Sequence, residues 1–221
     1  MCGRFVCDIP SRVLEELFAV SAPPDTPRRY NIVPTSQIFA VRSSEAGNQL
    51  VQLRWGLIPS WAKDRSLTGR LINARSESVH EKPAFRQAIR CRRCIIPANG
   101  FFEWAGEGKN RRPFYIRTRT GSIMAFAGIW ERWRSPEGEV LDSCSILTTT
   151  ANSLIRTIHD RMPVIIRPEE YGIWLDRAIT APEKLKSLYS PYPSELLEMY
   201  SVSSLVNNPR NDSFECIAPQ N

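Results

Sequence analysis

The first residues, Met1-Cys2-Gly3-Arg4-Phe5, place a cysteine directly behind the initiator methionine. A small second residue usually allows the methionine to be removed, which would leave Cys2 with a free α-amine beside its thiol. An α-amine has a pKa of about 7.7–8.0, against about 10.4 for lysine, so more of it is neutral and nucleophilic near pH 7. Such a terminus can form a Schiff base with an aldehyde, after which the thiol closes a thiazolidine ring on the imine carbon. The alternative is that Cys2 is merely a small residue tolerated at the start of a chain.

A carboxylate lies within the aromatic run "NGFFEW". Strand alternation would put Phe102 and Trp104 on one face and Phe101 and Glu103 on the other. If Glu103 is held against apolar walls, its pKa rises into the range that is useful for proton transfer. If it is solvated, it has no such role, and the run alone leaves both interpretations open.

Two further motifs carry polar side chains that could act on a substrate. "IHDRMP" places His159 beside Asp160 and Arg161 in an expected loop, a position more typical of chemistry than of core packing. "LINARSES" sets Asn73 and Arg75 two residues apart, so an extended backbone points both side chains to the same face. An ordinary polar strand edge would give the same pattern.

The chain has six cysteines, including the pair Cys91 and Cys94 in "CRRC". A structural zinc site needs four ligands, and the sequence has no second matching pair. A chain of this size needs no disulfide to fold, so the thiols are expected to be reduced. We therefore expect neither a metal nor a cofactor.

Length and charge set the outer limits of the prediction. The 221 residues fit a single domain spanning 1–221, with about residues 207–221 as a candidate flexible C-terminal tail. The formal net charge of +6 suits a nucleic-acid partner, although an ordinary solvated surface gives the same excess. The sequence shows no apolar run of about 20 residues and no secretory signal, so an intracellular, cytoplasmic protein without a membrane partner is expected. A monomer is expected.

The elements that must position these residues are mostly strands joined by tight turns. The βαβ rhythm of a parallel sheet is missing, which favours an α+β fold with a mainly antiparallel, curved, barrel-like sheet and peripheral short helices. The pattern predicts helices at 11–20, capped by Ser11, and at 83–89, strands at 37–42 and 49–57, an interrupted strand at 92–106 and a hairpin over 112–133.

Four motifs, "MCGRF", "NARSE", "PANGFFEW" and "HDRMP", occur in this order along the chain. They resemble the four signature blocks of the SRAP family, the SOS-response-associated peptidase-like proteins that process abasic sites in single-stranded DNA. The similarity runs from Cys2 to about residue 175. Four separated motifs in register are much more specific than any one of them.

The resemblance implies a lyase-like DNA–protein crosslinking activity in DNA damage repair, with an abasic site in single-stranded DNA as the partner. Cys2 would supply the amine and thiol that form a stable thiazolidine with the ring-opened sugar and so protect the lesion from strand cleavage. Asn73 would hold the terminus and the sugar, Glu103 would move protons, and His159 would assist ring opening and reversal. A self-processing peptidase activity that removes Met1 belongs to the same expectation.

The DNA itself would be held by residues near these motifs. Arg4, Arg75 and Arg161 each lie beside a signature residue and are expected to contact phosphates. Trp61 is a candidate platform for a neighbouring base, whereas Trp55 is expected to lie mostly in the core.

Two other classes of function remain open. One is an N-terminal-nucleophile cysteine amidohydrolase or peptidase, although the "NGE" motif and the glycine-rich oxyanion region expected of glutamine amidotransferases are missing. The other is a non-covalent single-stranded DNA-binding module.

Overall fold

A computed structural model of the chain describes residues 2–67, 69–106 and 108–220, so that Met1 and the expected trimming of it lie outside the described residues. Three short α-helices occur in this part of the chain: α1 (Ser11–Phe18), α2 (Ala88–Cys91) and α3 (Tyr171–Leu175). The same residues form thirteen strands: β1 (Phe5–Cys7), β2 (Arg29–Ile32), β3 (Gln37–Ser44), β4 (Gly47–Trp55), β5 (Asn73–Arg75), β6 (Arg93–Ala98), β7 (Gly100–Ala105), β8 (Arg112–Thr118), β9 (Met124–Arg134), β10 (Val140–Thr150), β11 (Arg161–Pro163), β12 (Ile165–Ile166) and β13 (Leu197–Ser201).

Five strands close into a barrel. The pairing runs β10-β4-β3-β6-β9, and β9 returns to pair with β10. Every contact in this ring is antiparallel except β4 with β10, and β5 adds a second parallel contact to β10. The expected α+β fold with a mainly antiparallel, barrel-like sheet is therefore confirmed.

A second sheet of five strands, in the order β13-β8-β7-β1-β2, packs against the barrel. Phe5 of β1 makes edge-to-face contacts with Trp55 and Phe126, at ring-centroid distances of 5.2 and 6.0 Å. Because these two aromatic side chains belong to barrel strands, Phe5 ties the amino terminus to the barrel. At Gly100, which begins β7, a Cβ atom would lie 2.4 Å from the carbonyl oxygen of Ile116, so the close β7–β8 approach requires glycine.

Several local predictions need correction. The expected hairpin over 112–133 does not form. Strand β8 pairs with β7 and β13, whereas β9 pairs with β6, β10 and β12. The turn at Gly121 therefore carries the chain from one sheet to the other. The interrupted strand at 92–106 is likewise divided between the two sheets. Of the second expected helix, at 83–89, only Ala88 and Ile89 are helical, within α2. Ser11 is the first residue of α1 rather than its cap, because its hydroxyl donates to the carbonyl of Pro23.

The segment expected to be a tail lies against β2. Asp212 accepts hydrogen bonds from the backbone N–H groups of Tyr30 and Asn31, at 2.5 and 2.9 Å, and forms an ion pair with Arg29. Cys216 is completely buried. In the described part of the chain, no helix is both long and apolar enough to cross a membrane.

Candidate active site at the amino terminus

Cys2 lies just ahead of β1 and is completely buried. The side-chain amide of Asn73 donates a 2.9 Å hydrogen bond to the carbonyl oxygen of Cys2, which fixes the backbone at this residue. The other polar atom of that amide, Oδ1, is buried and has no hydrogen-bond partner within the described residues. It is therefore an acceptor that a bound group could use.

Asn73 is placed by the barrel. It begins β5, which runs parallel to β10 in a register that pairs Asn73 with Ile146. The backbone N–H of Ile146 also donates to the carbonyl of Ile72, at 2.9 Å, so the backbone on both sides of this position is held. The expected extended conformation of "NAR" is confirmed, and it leaves Arg75 exposed to solvent.

Glu103 lies on β7 with 3% of its surface exposed. The predicted alternation holds, since Phe101 packs with Phe126 while Phe102 lies against Trp104 and Tyr115. Burial raises the pKa of Glu103, and the positive charge that His159 carries when protonated opposes this shift. Of the two alternatives, the buried carboxylate is the one that the structure shows.

The thiol of Cys2 is affected by the same surroundings. Burial is the main cause that raises the pKa of Cys2, and the negative charge of Glu103 raises it further. Cys2, Glu103 and His159 are therefore close enough to interact electrostatically. A thiol that resists ionisation is a poor first nucleophile, which favours attack by nitrogen before sulfur.

His159 has two contacts at Nδ1. This nitrogen accepts a 2.9 Å hydrogen bond from the backbone N–H of Arg161, and it lies 3.0 Å from a carboxylate oxygen of Asp160. The first contact needs a bare nitrogen and the second needs a proton, so they exclude one another. We assign the neutral tautomer with its proton on Nε2, because the backbone of the buried Arg161 needs an acceptor whereas the Asp160 side chain is 84% exposed to water.

Arg161, one of the three arginines expected to hold DNA, points inward. Its guanidinium donates to both carboxylate oxygens of Glu77, at 2.6 and 2.8 Å, and to the carbonyl of Thr148, at 2.7 Å. The residue is 8% exposed. The ion pair with Glu77 fastens the segment that carries His159 to the residues after β5, and the bond to Thr148 fastens it to β10. Glu77 was missed by the sequence reasoning, although it lies in the quoted motif "NARSE", two residues after Arg75.

The other proposed DNA contacts differ in exposure. Arg4 is half-buried, with its guanidinium bonded to Asn31 at 2.9 Å and lying 5.7 Å from the ring centroid of Trp104. Trp61 is 62% exposed, as a stacking platform must be. Trp55 is completely buried, which confirms its expected place in the core.

A metal is not suggested by the described side chains. No group of three or more His, Cys, Asp or Glu residues in 2–67, 69–106 and 108–220 is arranged to hold an ion. All six cysteines are free, as expected.

A candidate site near the amino terminus combines Cys2 with the amide of Asn73, the buried carboxylate of Glu103 and the imidazole of His159. The barrel and its attached sheet carry these residues. The sequence profile of the SRAP family, SOS response associated peptidase, matches residues 1–209, and the chain belongs to this family.

Its relatives cover the chain almost completely. The abasic site processing protein YoqW of Bacillus subtilis (strain 168) is 42% identical over 98% of this chain and 99% of its own length. The abasic site processing protein HMCES of Pongo abelii is 31% identical over 99% of this chain and 76% of its own length. A crystal structure of a protein from Bacteroides thetaiotaomicron matches with a TM-score of 0.89 and 26% identity, covering 99% of this chain and 100% of that one.

Proposed function

We propose that this protein processes abasic sites in single-stranded DNA by crosslinking them to Cys2 as a thiazolidine. The names of its relatives support abasic-site processing. The observation that carries the chemistry is the placement of Cys2, whose carbonyl is held by Asn73 beside the buried carboxylate of Glu103. The reactive form is the chain from which hydrolysis has removed Met1, by its own peptidase activity or by an aminopeptidase.

The reaction needs protons moved at three points. Ring opening breaks the bond between C1′ and the ring oxygen of the closed sugar. The ring oxygen takes the proton on Nε2 of His159 while the proton of the C1′ hydroxyl replaces it on that nitrogen, which gives the aldehyde. The Cys2 amine adds to C1′, and protonated Glu103 supplies the proton with which the hydroxyl leaves as water, giving the imine. The thiol then adds to the imine carbon while its proton passes through Glu103 to the nitrogen. One C–N and one C–S bond form, and one water is lost.

The raised pKa of Glu103 suits this sequence of steps. A carboxyl whose pKa is raised can act first as an acid and then, as the carboxylate, as a base. The electrostatic interaction between Glu103 and the Cys2 thiol supports this role.

The lesion would be held by exposed groups around the site. Arg75 and Arg4 are the candidates for phosphate contacts, and Trp61 offers an exposed ring for stacking. A single strand is preferred in this proposal because stacked duplex bases hide C1′ from a buried nucleophile. Arg161 acts on the DNA indirectly, through the segment that carries His159.

The test uses a single-stranded oligonucleotide with one abasic site, analysed on a denaturing gel without borohydride. Intact-mass measurement first establishes that Met1 is absent. A heat-resistant band is expected for the wild type and is expected to disappear in Cys2→Ala, which keeps the amine but loses the thiol. Cys91→Ala, a change at a more accessible thiol, serves as the control and should crosslink normally.

Other outcomes assign other functions. A stable band in Cys2→Ala, or in material that retains Met1 throughout, would overturn the thiazolidine. Hydrolysis of glutamine without a band would indicate an amidohydrolase. Salt-sensitive binding without a covalent product would indicate a DNA-binding module.

A further inference from the structure

A cavity of about 390 Å³ lies beside residues of β3, β6 and β9. Five arginines line it: Arg42, Arg92, Arg93, Arg132 and Arg177. Phe126, which contacts Phe5 near the amino terminus, and Arg132 are both on β9. Their six-residue separation corresponds to roughly 20 Å along a strand. The cavity is thus separate from the candidate active site.

The lining is strongly positive. None of the described residues that line the cavity is acidic. Behind them, Asp142 binds both Arg42 and Arg132, with contacts of 3.2 and 2.7 Å, and Glu131 accepts from Arg92. Two carboxylates therefore orient three arginines, and one net positive charge remains among these five side chains.

The positive charge of Arg93 is balanced mainly by main-chain carbonyl groups rather than by a carboxylate. It is 5% exposed, and its guanidinium donates to the main-chain carbonyls of Trp174, Ile89 and Arg90, at 2.6 to 2.9 Å. Asp176 contributes its carbonyl and a more distant charge. Burial is the main cause that lowers the pKa of Arg93, as it must for a cation that carbonyls solvate incompletely. An anion in the cavity would relieve this cost.

The cavity is also ordered before anything binds. The guanidinium of Arg42 stacks on Trp130, 4.6 Å from its ring centroid, and is held there by Asp142. Planar guanidinium forks match the geometry of phosphate oxygens, and forks that are already fixed lose little entropy on binding. Ser43 and Gln49 add a hydroxyl and an amide to the wall.

We propose that this cavity binds a small phosphate-bearing anion, with the dimensions of pyrophosphate or a nucleoside diphosphate. The volume lies within the range of small-molecule sites, about 300–1,000 Å³, which favours a compact ligand over a strand that passes along a surface. The inference does not depend on the proposed crosslinking activity.

The test is calorimetric titration of the protein with pyrophosphate and, separately, with ADP at low ionic strength. Binding of at least one is expected, and Arg177→Gln is expected to weaken it about tenfold through loss of one charge-assisted contact. Arg42→Gln should weaken it at least as much. Arg134→Gln is the matched control: it removes an exposed arginine of the same strand as Arg132 that does not line the cavity.

Each outcome decides the proposal. Binding that is lost in Arg177→Gln but kept in Arg134→Gln supports it, provided that the melting temperatures of both variants match the wild type. Absence of binding by both probes, equal weakening by the control, or binding only of single-stranded DNA without competition from pyrophosphate would overturn it. Crosslinking by Arg177→Gln should stay normal, so failure here is distinguishable from failure of the proposed function.

Discussion

At the scale of single residues, burial of the Glu103 carboxylate costs stability but also gives this group the raised pKa that the proposed reaction uses. Its pKa is raised in the folded protein, mainly by burial, so the folded state binds the proton more tightly than the unfolded state does. The stabilisation is fully present below the ordinary carboxylate pKa and is lost as the pH rises through the raised value. Above the raised pKa, therefore, the charged Glu103 lowers the free energy of unfolding.

Glu103→Gln should accordingly raise the melting temperature at pH 7 to 8 while slowing adduct formation. Each unit of pKa difference is worth about 1.4 kcal/mol, and about 1 kcal/mol moves the melting temperature of a chain this long by about 2–4 °C. Thermal unfolding measured from pH 4 to 8 should show the gain shrinking toward acid pH. Glu131→Gln, at a buried carboxylate paired with Arg92, should instead destabilise the protein. A lower melting temperature for Glu103→Gln at pH 8 would contradict the argument.

Arg75 and Arg161 illustrate how the same residue type takes different roles. Arg75 is exposed, whereas Arg161 is buried and bound by Glu77. We expect Arg75→Gln to weaken single-strand binding and to reduce the slope of log K against log salt by about one, the effect of losing one phosphate contact. Fluorescence anisotropy with an undamaged oligonucleotide at several salt concentrations measures both quantities. An unchanged slope would remove Arg75 from the DNA contacts.

At the scale of elements, β5 and the segment leading into β11 both flank β10, and an ion pair connects them. Glu77 follows β5, and Arg161 begins β11, so their ion pair locks the two together. The hydrogen bonds from Arg161 are the main cause that lowers the pKa of Glu77. The resulting stabilisation is present above the ordinary carboxylate pKa and is lost as the pH falls through the lowered value.

Glu77→Ala should therefore destabilise the protein at neutral pH, by about 1–3 kcal/mol, because it leaves the buried guanidinium of Arg161 with a carbonyl as its main acceptor. This loss in the free energy of unfolding is smaller than for a fully buried ion pair, because Glu77 is 50% exposed and water can take its place. Glu81→Ala, at a more exposed carboxylate nearby, should change the free energy of unfolding little. Denaturant unfolding at pH 7 and pH 3.5 should show the difference from the wild type shrinking at the lower pH. Equal destabilisation at both would argue against the ion pair as its source.

The elements also show what local sequence can predict. The strands at 37–42 and 49–57 were predicted correctly because a short turn joins neighbours that pair directly, and the two faces of 101–104 follow from the period of a strand. The turn at Gly121 predicts that the chain reverses, but it does not predict which sheet the next strand joins. The strand that pairs with β8 is β13, which lies far along the chain, with Thr118 opposite Leu197. Arg161 was assigned to DNA for the same reason: its partner Glu77 lies 84 residues away.

At the scale of the whole molecule, the two ends of the chain support one another. Arg4, two residues after Cys2, donates to Asn31, and the amide of Asn31 donates in turn to the carbonyls of Asn208 and Asn211, at 3.2 and 2.6 Å. Asp212 continues the contact by accepting from the backbone of β2. The C-terminal segment thus forms part of the support for the strand pair β1–β2, which follows Cys2.

Asp212→Ala is the most direct test of that support. It removes the ion pair with Arg29 and the acceptor of two backbone N–H groups, one of them in the buried residue Asn31, and each such loss costs about 1–3 kcal/mol. We expect a melting temperature lowered by several degrees and slower crosslinking, because β2 no longer holds β1 and Arg4 in place. Glu215→Ala is the matched control, since this exposed carboxylate bonds only to the neighbouring Ser213. Thermal unfolding and the crosslinking rate should be measured together. If Asp212→Ala melted and reacted like Glu215→Ala, the C-terminal segment would have no role in positioning the site.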